Sequence, residues 1–280
     1  MKVIGVDLGG TNVSAGLVKD NKLIKVIKEK INSQGSEKEV LKQIMNIINK
    51  LITKEVKGIG IGVPSIVDIE KGIVFETVNI PSWKNVKLKK ILEKKYKIPV
   101  FVNNDANCFA LGEKYFGQGK GYKNLVGIVI GTGLGGGIII NNKLYNGNNC
   151  GAGEFGEIIF KNSKVEHYTS GKFFEKFYYM SGEDVFEKAK KRDSKTLKIF
   201  NEFGYNLGKV LSIIVNSVDP ELIILGGSIS KAHKFFFNAM MRSLKESIYR
   251  RSYSRLKIKI SNQENIAVFG AASLYYNSLN

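Results

Sequence analysis

The chain has few cysteines and no long hydrophobic run, and both absences limit what it can be. Its two cysteines, Cys108 and Cys150, do not belong to a Cys-x-x-Cys pair. Two cysteines cannot supply a four-cysteine zinc site, and we expect both to be reduced. No apolar run approaches the roughly 18 residues of a transmembrane helix, so we expect no membrane partner. Met1 and Lys2 lead directly into an apolar run that Asp7 interrupts, which leaves no room for a signal peptide and favours a cytoplasmic location.

Acidic residues are scarce relative to basic ones, so the chain is strongly positive. It has 43 lysines and arginines against 25 aspartates and glutamates, a formal net charge of +18. Nucleic-acid binding is one interpretation, because a basic face attracts phosphate. However, only five of the basic residues are arginine, no helix-turn-helix precedes Val3, and there is no zinc finger or RNP-like aromatic motif. We therefore expect a lysine-rich solvated surface and no nucleic-acid partner.

Glycine, in contrast, is abundant between Val126 and Gly137. This stretch reads Val-Gly-Ile-Val-Ile-Gly-Thr-Gly-Leu-Gly-Gly-Gly. The β-branched run predicts a buried strand. The glycines after it permit backbone conformations in which amide N–H groups converge on an anion, most often phosphate. A glycine-rich hairpin without a ligand is the alternative interpretation.

A similar pattern at the N-terminus makes this stretch part of an internal repeat. Residues Ile4 to Thr11 read Ile-Gly-Val-Asp-Leu-Gly-Gly-Thr. Each copy leads to a second strand and a polar hairpin, Asn21-Lys22-Leu23 in the first and Asn142-Lys143-Leu144 in the second. A repeat is stronger information about a fold than local propensity, and 280 residues suffice for two medium domains. We therefore predict two β-rich units, each with a phosphate-type turn, on the two sides of a nucleotide cleft.

Hydrophobic periodicity and turn residues predict a mixed α/β chain around these hairpins. Ser36 is predicted to cap the first helix. The predicted strands are 2–7, 12–18, 23–30, 58–64, 99–102, 222–225 and 256–260, with a two-stranded ribbon at 66–77. Later predicted helices are 86–96, 106–116, 170–180, 182–190, 196–217, 235–249 and 268–277. We place the lobe boundary at the glycine-rich segment 117–121, giving lobes 1–117 and 118–280, with the final helix crossing back.

One strand end carries three polar residues at the start of a helix. Strand 100–102 delivers Asn103, Asn104 and Asp105 to the predicted helix 106–116. A strand end beside a helix N-terminus is where α/β proteins usually place ligands. Asp105 would be either a helix cap or a catalytic carboxylate, and the local sequence leaves both alternatives open.

Two later loops combine glycines with other candidate functional groups. The loop from Gly147 to Glu157 contains two carboxylates, Glu154 and Glu157, although a solvated loop of this kind is also common. The strand ending at Leu225 leads into Gly226-Gly227-Ser228, another glycine turn that opens toward a helix.

Together these segments resemble the ROK family of sugar kinases, within the actin/hexokinase-type ATPase superfamily. The resemblance covers nearly the whole chain and is carried by five motifs in family order: Asp7-Leu-Gly-Gly-Thr11, Asn104-Asp-Ala-Asn107, Gly131-Thr-Gly-Leu-Gly-Gly-Gly137, Gly153-Glu-Phe-Gly156 and Leu225-Gly-Gly-Ser228. It implies an α/β, two-lobed, actin/hexokinase-like (ribonuclease H-like) fold with duplicated β-hairpin units and a cleft between the lobes.

The resemblance also implies ATP and Mg²⁺ as cofactors and assigns roles to the matching residues. Asp105 would be the general base that takes the proton of a sugar hydroxyl as it attacks the γ-phosphate. Asp7 would act near the magnesium ion through water, and Gly226 and Gly227 would line the adenosine site. The ATP phosphates would be bound by Gly9, Gly10, Thr11, Asn12, Gly131, Thr132 and Gly133.

Sugar binding is implied for Asn104, Asp105, Glu154 and Glu166, but the chain departs from the family pattern nearby. The family's usual Glu-x-Gly-His motif is here Glu154-Phe-Gly-Glu157, and the family's cysteine cluster is missing. Zinc favours cysteine and histidine ligands at close spacing, so we predict no structural zinc. Glu157 would either contact a sugar hydroxyl or face solvent, and we favour the contact.

The expected function is ATP-dependent phosphorylation of the 6-hydroxyl of a hexose or N-acetylhexosamine, by a homodimer. The Glu-Phe-Gly-Glu variant favours N-acetylmannosamine, and glucose or another hexose or β-glucoside is the alternative. A sugar-responsive regulator is a remote alternative, because the family includes repressors. Those carry an N-terminal DNA-binding domain, whereas this chain begins at the first phosphate strand.

Overall fold

A computed structural model describes residues 1–20, 22–77 and 79–279; Asn21, in the first predicted polar hairpin, lies outside the described residues. The strands are β1 (Lys2–Leu8), β2 (Asn12–Lys19), β3 (Lys22–Lys30), β4 (Val56–Val63), β5 (Val67–Asp68), β6 (Ile73–Glu76), β7 (Lys84–Val86), β8 (Val100–Asn104), β9 (Leu125–Ile130), β10 (Leu134–Ile140), β11 (Lys143–Tyr145), β12 (Ile159–Phe160), β13 (Ser163–Lys164), β14 (Leu222–Gly226) and β15 (Lys257–Ile260). The helices are α1 (Glu37–Asn49), α2 (Leu88–Tyr96), α3 (Asp105–Tyr115), α4 (Glu166–Thr169), α5 (Gly171–Tyr178), α6 (Gly182–Lys190), α7 (Ser194–Val218), α8 (His233–Lys245), α9 (Arg250–Arg255) and α10 (Ile266–Asn277). Short 3₁₀ helices span Phe155–Glu157 and Ile229–Ala232.

Two five-stranded mixed sheets follow the same plan, which confirms the predicted duplication. The first sheet has the order β3-β2-β1-β4-β8, and the second has the order β11-β10-β9-β14-β15. In the first sheet, β1 is antiparallel to β2 and parallel to β4, and β4 is parallel to β8. In the second, β14 is parallel to both β9 and β15. The predicted α/β fold class with duplicated hairpin units is therefore confirmed.

The parallel strands of the first sheet align their carboxyl ends. Asp7 of β1 pairs with Gly62 of β4, and Gly62 pairs with Asn103 of β8. Because neighbouring strands lie about 4.8 Å apart, the Cα atoms of Asp7 and Asn103 are roughly 10 Å apart across the sheet. The first turn of α3, which begins at Asp105, follows β8 at this edge.

The last helix, α10, packs on the first sheet, and two glycines permit its close approach. A Cβ added at Gly5 would collide with the backbone of α10 at Val268, and one at Gly60 would collide with it at Ala271. Any larger residue at either strand position would push the helix away from the sheet.

The chain divides into two compact units. Unit 1 consists of Met1–Gly121, Gly137–Ala152 and Asn262–Asn280, and unit 2 consists of Tyr122–Gly136 and Gly153–Ser261. Unit 1 thus contains α10 and the segment 137–152, both of which follow the predicted lobe boundary in the sequence. The assignment of functional lobes to 1–117 and 118–280 stays a prediction.

Unit 2 has an aromatic core between α5, α7 and α8. The ring of Phe203 on α7 lies 5.7 Å from that of Phe173 and 5.3 Å from that of Phe174, both on α5. Phe203 also contacts Phe236 of α8 at 5.3 Å. These rings bury the helical faces that the periodicity predicted. Within the described part of the chain, no helix has the length and apolar character needed to cross a bilayer.

The segment around Val86 differs from its prediction. The helix predicted from Val86 begins at Leu88, because Lys84–Val86 form β7, in which Val86 pairs with Val74 of β6. The predicted two-stranded ribbon is therefore a three-stranded sheet, β5-β6-β7. Within β7, Lys84 and Asn85 are exposed and Val86 is buried.

Candidate functional site

The junction of β8 and α3 places Asn104 and Asp105 at the carboxyl edge of the first sheet. Asn104 has extended backbone angles, φ −62° and ψ 146°, and its side chain caps α3 by accepting the amide N–H groups of Ala106 and Asn107 at 2.8 and 3.3 Å. The helix cap is therefore Asn104. Asp105 is the first helical residue, half-buried, and its Oδ1 also accepts the amide of Ala106 at 2.8 Å.

Asp105 lies at the N-terminus of α3 but does not supply its cap. The N-terminus of a helix stabilises a carboxylate through its unpaired amides and its dipole. Since Asn104 already supplies the cap, a purely structural account of Asp105 loses its main support. The catalytic role of Asp105 stays a prediction, as does the sugar-binding role of Asn104, whose Nδ2 donates to the carbonyl oxygen of Ser65 at 3.4 Å.

Asp7 lies two strands from Asn103 on the same edge, and its environment suits a cation. Burial raises the pKa of Asp7 from 3.8 to about 6, and the positive charge of Lys28 only partly opposes this effect. A buried carboxylate without full compensation gains when a cation approaches. Among the described residues, no three His, Cys, Asp or Glu side chains come together in a way that could hold a metal ion directly. The contact of Asp7 with magnesium through water and the absence of zinc both stay predictions.

The first glycine turn connects β1 to β2. The amide of Gly9 donates to the carbonyl oxygen of Asn12 at 2.9 Å, and the carbonyl oxygen of Thr11 accepts the amide of Ile31 at 3.0 Å. A Cβ at Gly10 would lie 2.6 Å from the Cβ of Asn79, so only glycine fits there without displacing that side chain. Thr11 is exposed at the tip.

The second glycine turn is held by the helices that follow it in unit 2. The amide of Gly131 donates to the carbonyl oxygen of Gly133 at 3.0 Å. The carbonyl oxygen of Gly131 accepts the amide of Gly171 at 2.8 Å, and that of Thr132 accepts the hydroxyl of Ser170 at 3.0 Å. Both carbonyls are thus engaged by the start of α5, which fixes the orientation of the peptide groups in the turn.

The predicted adenosine glycines lie beside this turn. Gly226 ends β14 opposite Val129 of β9. Gly227 has φ +86°, and a Cβ on it would collide with the backbone of Ile130, the residue before Gly131. The structure thus brings Gly226 and Gly227 together with the second glycine turn at one sheet edge. Packing alone explains why position 227 is glycine, and the contact with adenosine stays a prediction.

Three predicted sugar carboxylates interact electrostatically in unit 2. Burial raises the pKa of Glu154, and the charges of Glu157 and Glu166 raise it further. Glu157 is exposed and pairs with Lys164 at 2.5 Å. Glu166 is the first residue of α4, pairs with the Lys172 ammonium at 2.6 Å, and has its Oε2 3.1 Å from where a Cβ on Gly133 would stand. The second glycine turn and Glu166 are therefore neighbours.

The sequence predictions missed the two lysines of this cluster. Lys172 lies six residues after Glu166, in the next helix, and a short bend at Ser170 brings the two together. In a lysine-rich chain, neither Lys164 nor Lys172 stands out by its spacing. The site residues fall into two sets: Asp7, Gly9–Asn12, Asn104 and Asp105 in unit 1, and Gly131–Gly133, Glu154, Glu157, Glu166, Gly226 and Gly227 in unit 2.

Comparison with known proteins agrees with the motifs and the fold. The family model described as the ROK family matches residues 3–278. The chain is 29% identical to the glucokinase of Thermotoga maritima, over 98% of this chain and 97% of that protein. It is 32% identical to the xylose repressor of Bacillus subtilis, over 97% of this chain and 76% of the repressor. Among solved structures, a ROK family glucokinase from Streptomyces griseus in complex with glucose and AMPPNP aligns with a TM-score of 0.83 at 26% identity, over 98% of this chain and 99% of that one.

Proposed function

Because the chain belongs to the ROK family, we propose that this ATP-dependent carbohydrate kinase transfers the γ-phosphate of ATP to the 6-hydroxyl of a hexose or N-acetylhexosamine. The observation that carries the proposal is the position of Asp105. It is a half-buried carboxylate at the start of a helix whose cap is supplied by its neighbour Asn104. It also lies at the sheet edge that carries Asp7 and the first glycine turn.

In the proposed reaction, the Asp105 carboxylate takes the proton of the 6-hydroxyl while that oxygen forms a bond to the γ-phosphorus. The bond from the γ-phosphorus to the β,γ-bridging oxygen breaks, and ADP leaves. Backbone amides of Gly9–Asn12 and Gly131–Gly133 bind the phosphates, and this positioning supplies most of the catalysis. Magnesium, when bound, neutralises developing phosphate charge, and Asp7 would hold its hydration shell.

Sugar recognition is proposed for Asn104, Asp105, Glu154, Glu157 and Glu166, because fixed carboxylates and amides match sugar hydroxyls. Two sugars are favoured by different observations. The relatedness to glucokinases favours glucose, which we expect to be the better acceptor. Glu157, in the position of the family's histidine, favours N-acetylmannosamine.

A screen of acceptors tests the proposal directly. Purified protein is incubated with ATP, Mg²⁺ and glucose, fructose, N-acetylglucosamine or N-acetylmannosamine, and ADP release is measured. We expect Asp105→Asn to remain folded but to lose at least about a hundredfold in kcat, since a general base contributes ~10²–10⁴-fold. The melting temperature of Asp105→Asn is the control for folding. Near-normal turnover by that variant would contradict the assignment of the base.

A sugar-responsive regulator is the second candidate, and the similarity to the xylose repressor of Bacillus subtilis favours it. A regulator would bind sugar without turnover and would not depend on Asp105 as a base. Sugar binding that survives Asp105→Glu, together with no ADP release for any sugar tested, would support this candidate. Salt-titrated binding to duplex DNA would then test its partner.

The remaining parts of the proposal are magnesium as the cation, a homodimeric state and a cytoplasmic location, where ATP is available. Replacing Mg²⁺ by EDTA should abolish ADP release. Light scattering after size-exclusion chromatography should give twice the mass of one chain.

A further inference from the structure

A buried network of uncharged side chains lies directly behind the β8–α3 junction. At its centre is the Oδ1 atom of Asn103, which accepts the amide of Asn104 at 2.8 Å, the Nδ2 of Asn107 at 2.9 Å and the thiol of Cys150 at 3.3 Å. The Nδ2 of Asn103 donates to the Oδ1 of Asn146 at 2.9 Å. The network therefore joins β8, the first turn of α3 and the loop 146–152, all within unit 1.

Burial makes this network stiff. Asn103 and Cys150 are each 2% exposed and Asn107 is 1% exposed. Hydrogen bonds between buried groups are strengthened by the low local dielectric, and an unmade one leaves a costly unsatisfied group. Asn103 uses both ends of its amide, so its side chain has one favourable orientation.

The hydrogen bond between Asn103 and Asn104 connects the network to the start of α3, where Asp105 lies. The side-chain oxygen of Asn103 holds the backbone amide of Asn104, and the side chain of Asn104 in turn caps α3. The peptide group before Asn104 and the one after Asp105 are therefore held by hydrogen bonds, and Asp105 lies between them. A carboxylate that acts as a general base needs its oxygen within hydrogen-bond reach of the hydroxyl, and small displacements are costly.

Cys150 connects the loop 146–152 to this network through its thiol. It has φ +62°, a left-handed conformation that side chains rarely adopt, and its thiol points to Asn103. The Nδ2 of Asn107 also approaches its sulfur at 3.7 Å. Cys108, the other cysteine, is equally buried on α3, and its sulfur instead lies 3.1 Å from where a Cβ on Gly62 would stand. The two cysteines thus offer a matched pair, one in the network and one beside it.

We propose that Asn103 is a positioning residue for Asp105, and that the thiol of Cys150 holds Asn103 in the orientation that this role requires. The inference rests on the proposed function, in which Asp105 is the general base. Neither Asn103 nor Cys150 touches the reacting atoms.

The first experiment compares four variants by kcat, by the KM values of sugar and ATP, and by melting temperature. We expect Asn103→Ala to lower kcat about thirtyfold and Cys150→Ala about three- to fivefold, with the KM of ATP within twofold of wild type. In Cys150→Ser, a hydroxyl donor replaces the thiol donor, so this variant should have at least half of the wild-type kcat. Cys108→Ala should lower the melting temperature without changing kcat.

The second experiment separates positioning from a general loss of structure. Asn103→Ala and Cys150→Ala are repeated in the Asp105→Asn background. A residue that acts through Asp105 has little left to position there, so each should lower the residual kcat by less than about twofold further. Equal losses in both backgrounds would overturn the inference, because they would reflect a purely structural role.

The two proposals fail in different ways. Near-normal activity of Asp105→Asn would overturn the assignment of the base, and the positioning role would fall with it. If Asp105→Asn is inactive while Asn103→Ala and Cys150→Ala keep the wild-type kcat, only the positioning role is overturned. If Asn103→Ala does not fold, the kcat values of Cys150→Ala and Cys150→Ser still test the positioning role.

Discussion

The predicted site residues of unit 1 and unit 2 differ in how their carboxylates are compensated. In unit 1, Asp7 is desolvated, its pKa is raised to about 6 by burial, and the amides behind Asp105 are uncharged. In unit 2, Glu157 and Glu166 are each paired with a lysine, at 2.5 and 2.6 Å. The first region is organised by packing and neutral hydrogen bonds, and the second by ion pairs near the surface.

The difference predicts how each region affects stability. The buried carboxylate of unit 1 should lower stability, whereas the ion pairs of unit 2 should hardly change it. A carboxylate buried without a full counter-charge destabilises the metal-free fold, and is retained when function needs it. Ion pairs near the surface contribute little to stability, and salt screens them. Removing the charge of Asp7 should therefore have opposite effects on stability and activity, whereas changes to the lysine-paired carboxylates of unit 2 should mainly alter sugar affinity.

The largest effect is expected for Asp7→Asn. The carboxylate has a folded-state pKa of about 6 against an ordinary value of 3.8, so its ionisation costs the metal-free protein roughly 3 kcal/mol above pH 6. Asp7→Asn should raise the free energy of unfolding by up to that amount at pH 8 in EDTA. It should also lower kcat by about a hundredfold or more, because the charge near the magnesium ion is lost.

The sign of this effect depends on pH. As pH falls through about 6, the folded protein takes up the proton, and below 3.8 both states are protonated. The stabilisation by Asp7→Asn should therefore be complete above pH 6 and should shrink toward zero by pH 4, as measured by urea unfolding. Asp20→Asn is the control, since Asp20 is exposed and its bond with the N-terminal ammonium lowers the pKa of its carboxyl. Equal stability of Asp7→Asn and wild type at pH 8 would contradict the account.

The second effect concerns Glu166→Gln. This carboxylate pairs with Lys172 and lies beside Gly133, so loss of its charge should weaken both the ion pair and the proposed sugar contact. Hydrogen bonds to a charged group contribute about 1.5–3 kcal/mol, so we expect the sugar KM to rise at least about tenfold. The KM of ATP should change much less.

Glu187→Gln is the matched control, because Glu187 forms a similar ion pair with Lys190 at 2.6 Å within α6 of the same unit. It should leave the sugar KM unchanged. A sugar KM for Glu166→Gln within twofold of wild type would exclude the contact.

The sequence predicts the parts of this site that depend on local pattern. The two hairpins follow from β-branched runs and glycine turns, and the β8–α3 junction follows from a short strand that leads through polar residues into a helix. The sequence does not decide between Asn104 and Asp105 as the helix cap, since both residue types suit that position. The structure decides it through the backbone angles of Asn104.

Contacts between distant residues are beyond local pattern. Asn103 and Cys150 are 47 residues apart, and nothing in either segment marks the pair. The strand β7 is missed for a different reason. Its one apolar residue, Val86, lies just before the next helix, and only the pairing of Val86 with Val74 assigns it to a strand.

The third effect is a pH dependence of sugar binding through Glu154. Burial, with the charges of Glu157 and Glu166, raises the pKa of Glu154 above its usual 4.5. If the ionised carboxylate accepts a sugar hydroxyl, the sugar KM should rise as pH falls through this raised pKa. Glu154→Gln should have a high sugar KM that no longer varies with pH. A wild-type sugar KM that does not rise as pH falls would contradict this role.

The smallest effect is expected at the exposed ion pair of Glu157 and Lys164, which contrasts most strongly with the desolvated Asp7. Both side chains of the pair are exposed, and the hydrogen bond to Glu157 raises the pKa of Lys164. Exposed ion pairs contribute little to stability, so Lys164→Ala should leave the melting temperature unchanged and the sugar KM within about twofold of wild type. At 0.5 M salt, which screens the pair, variant and wild type should not differ in either quantity. Glu157→Gln then separates the two alternatives for this residue. A rise of more than about fivefold in the sugar KM, unaffected by salt, means that a hydroxyl replaces Lys164 as its partner, because a bond sheltered by bound sugar is not screened. No change means that Glu157 faces solvent and that the family's histidine has no functional counterpart in this chain.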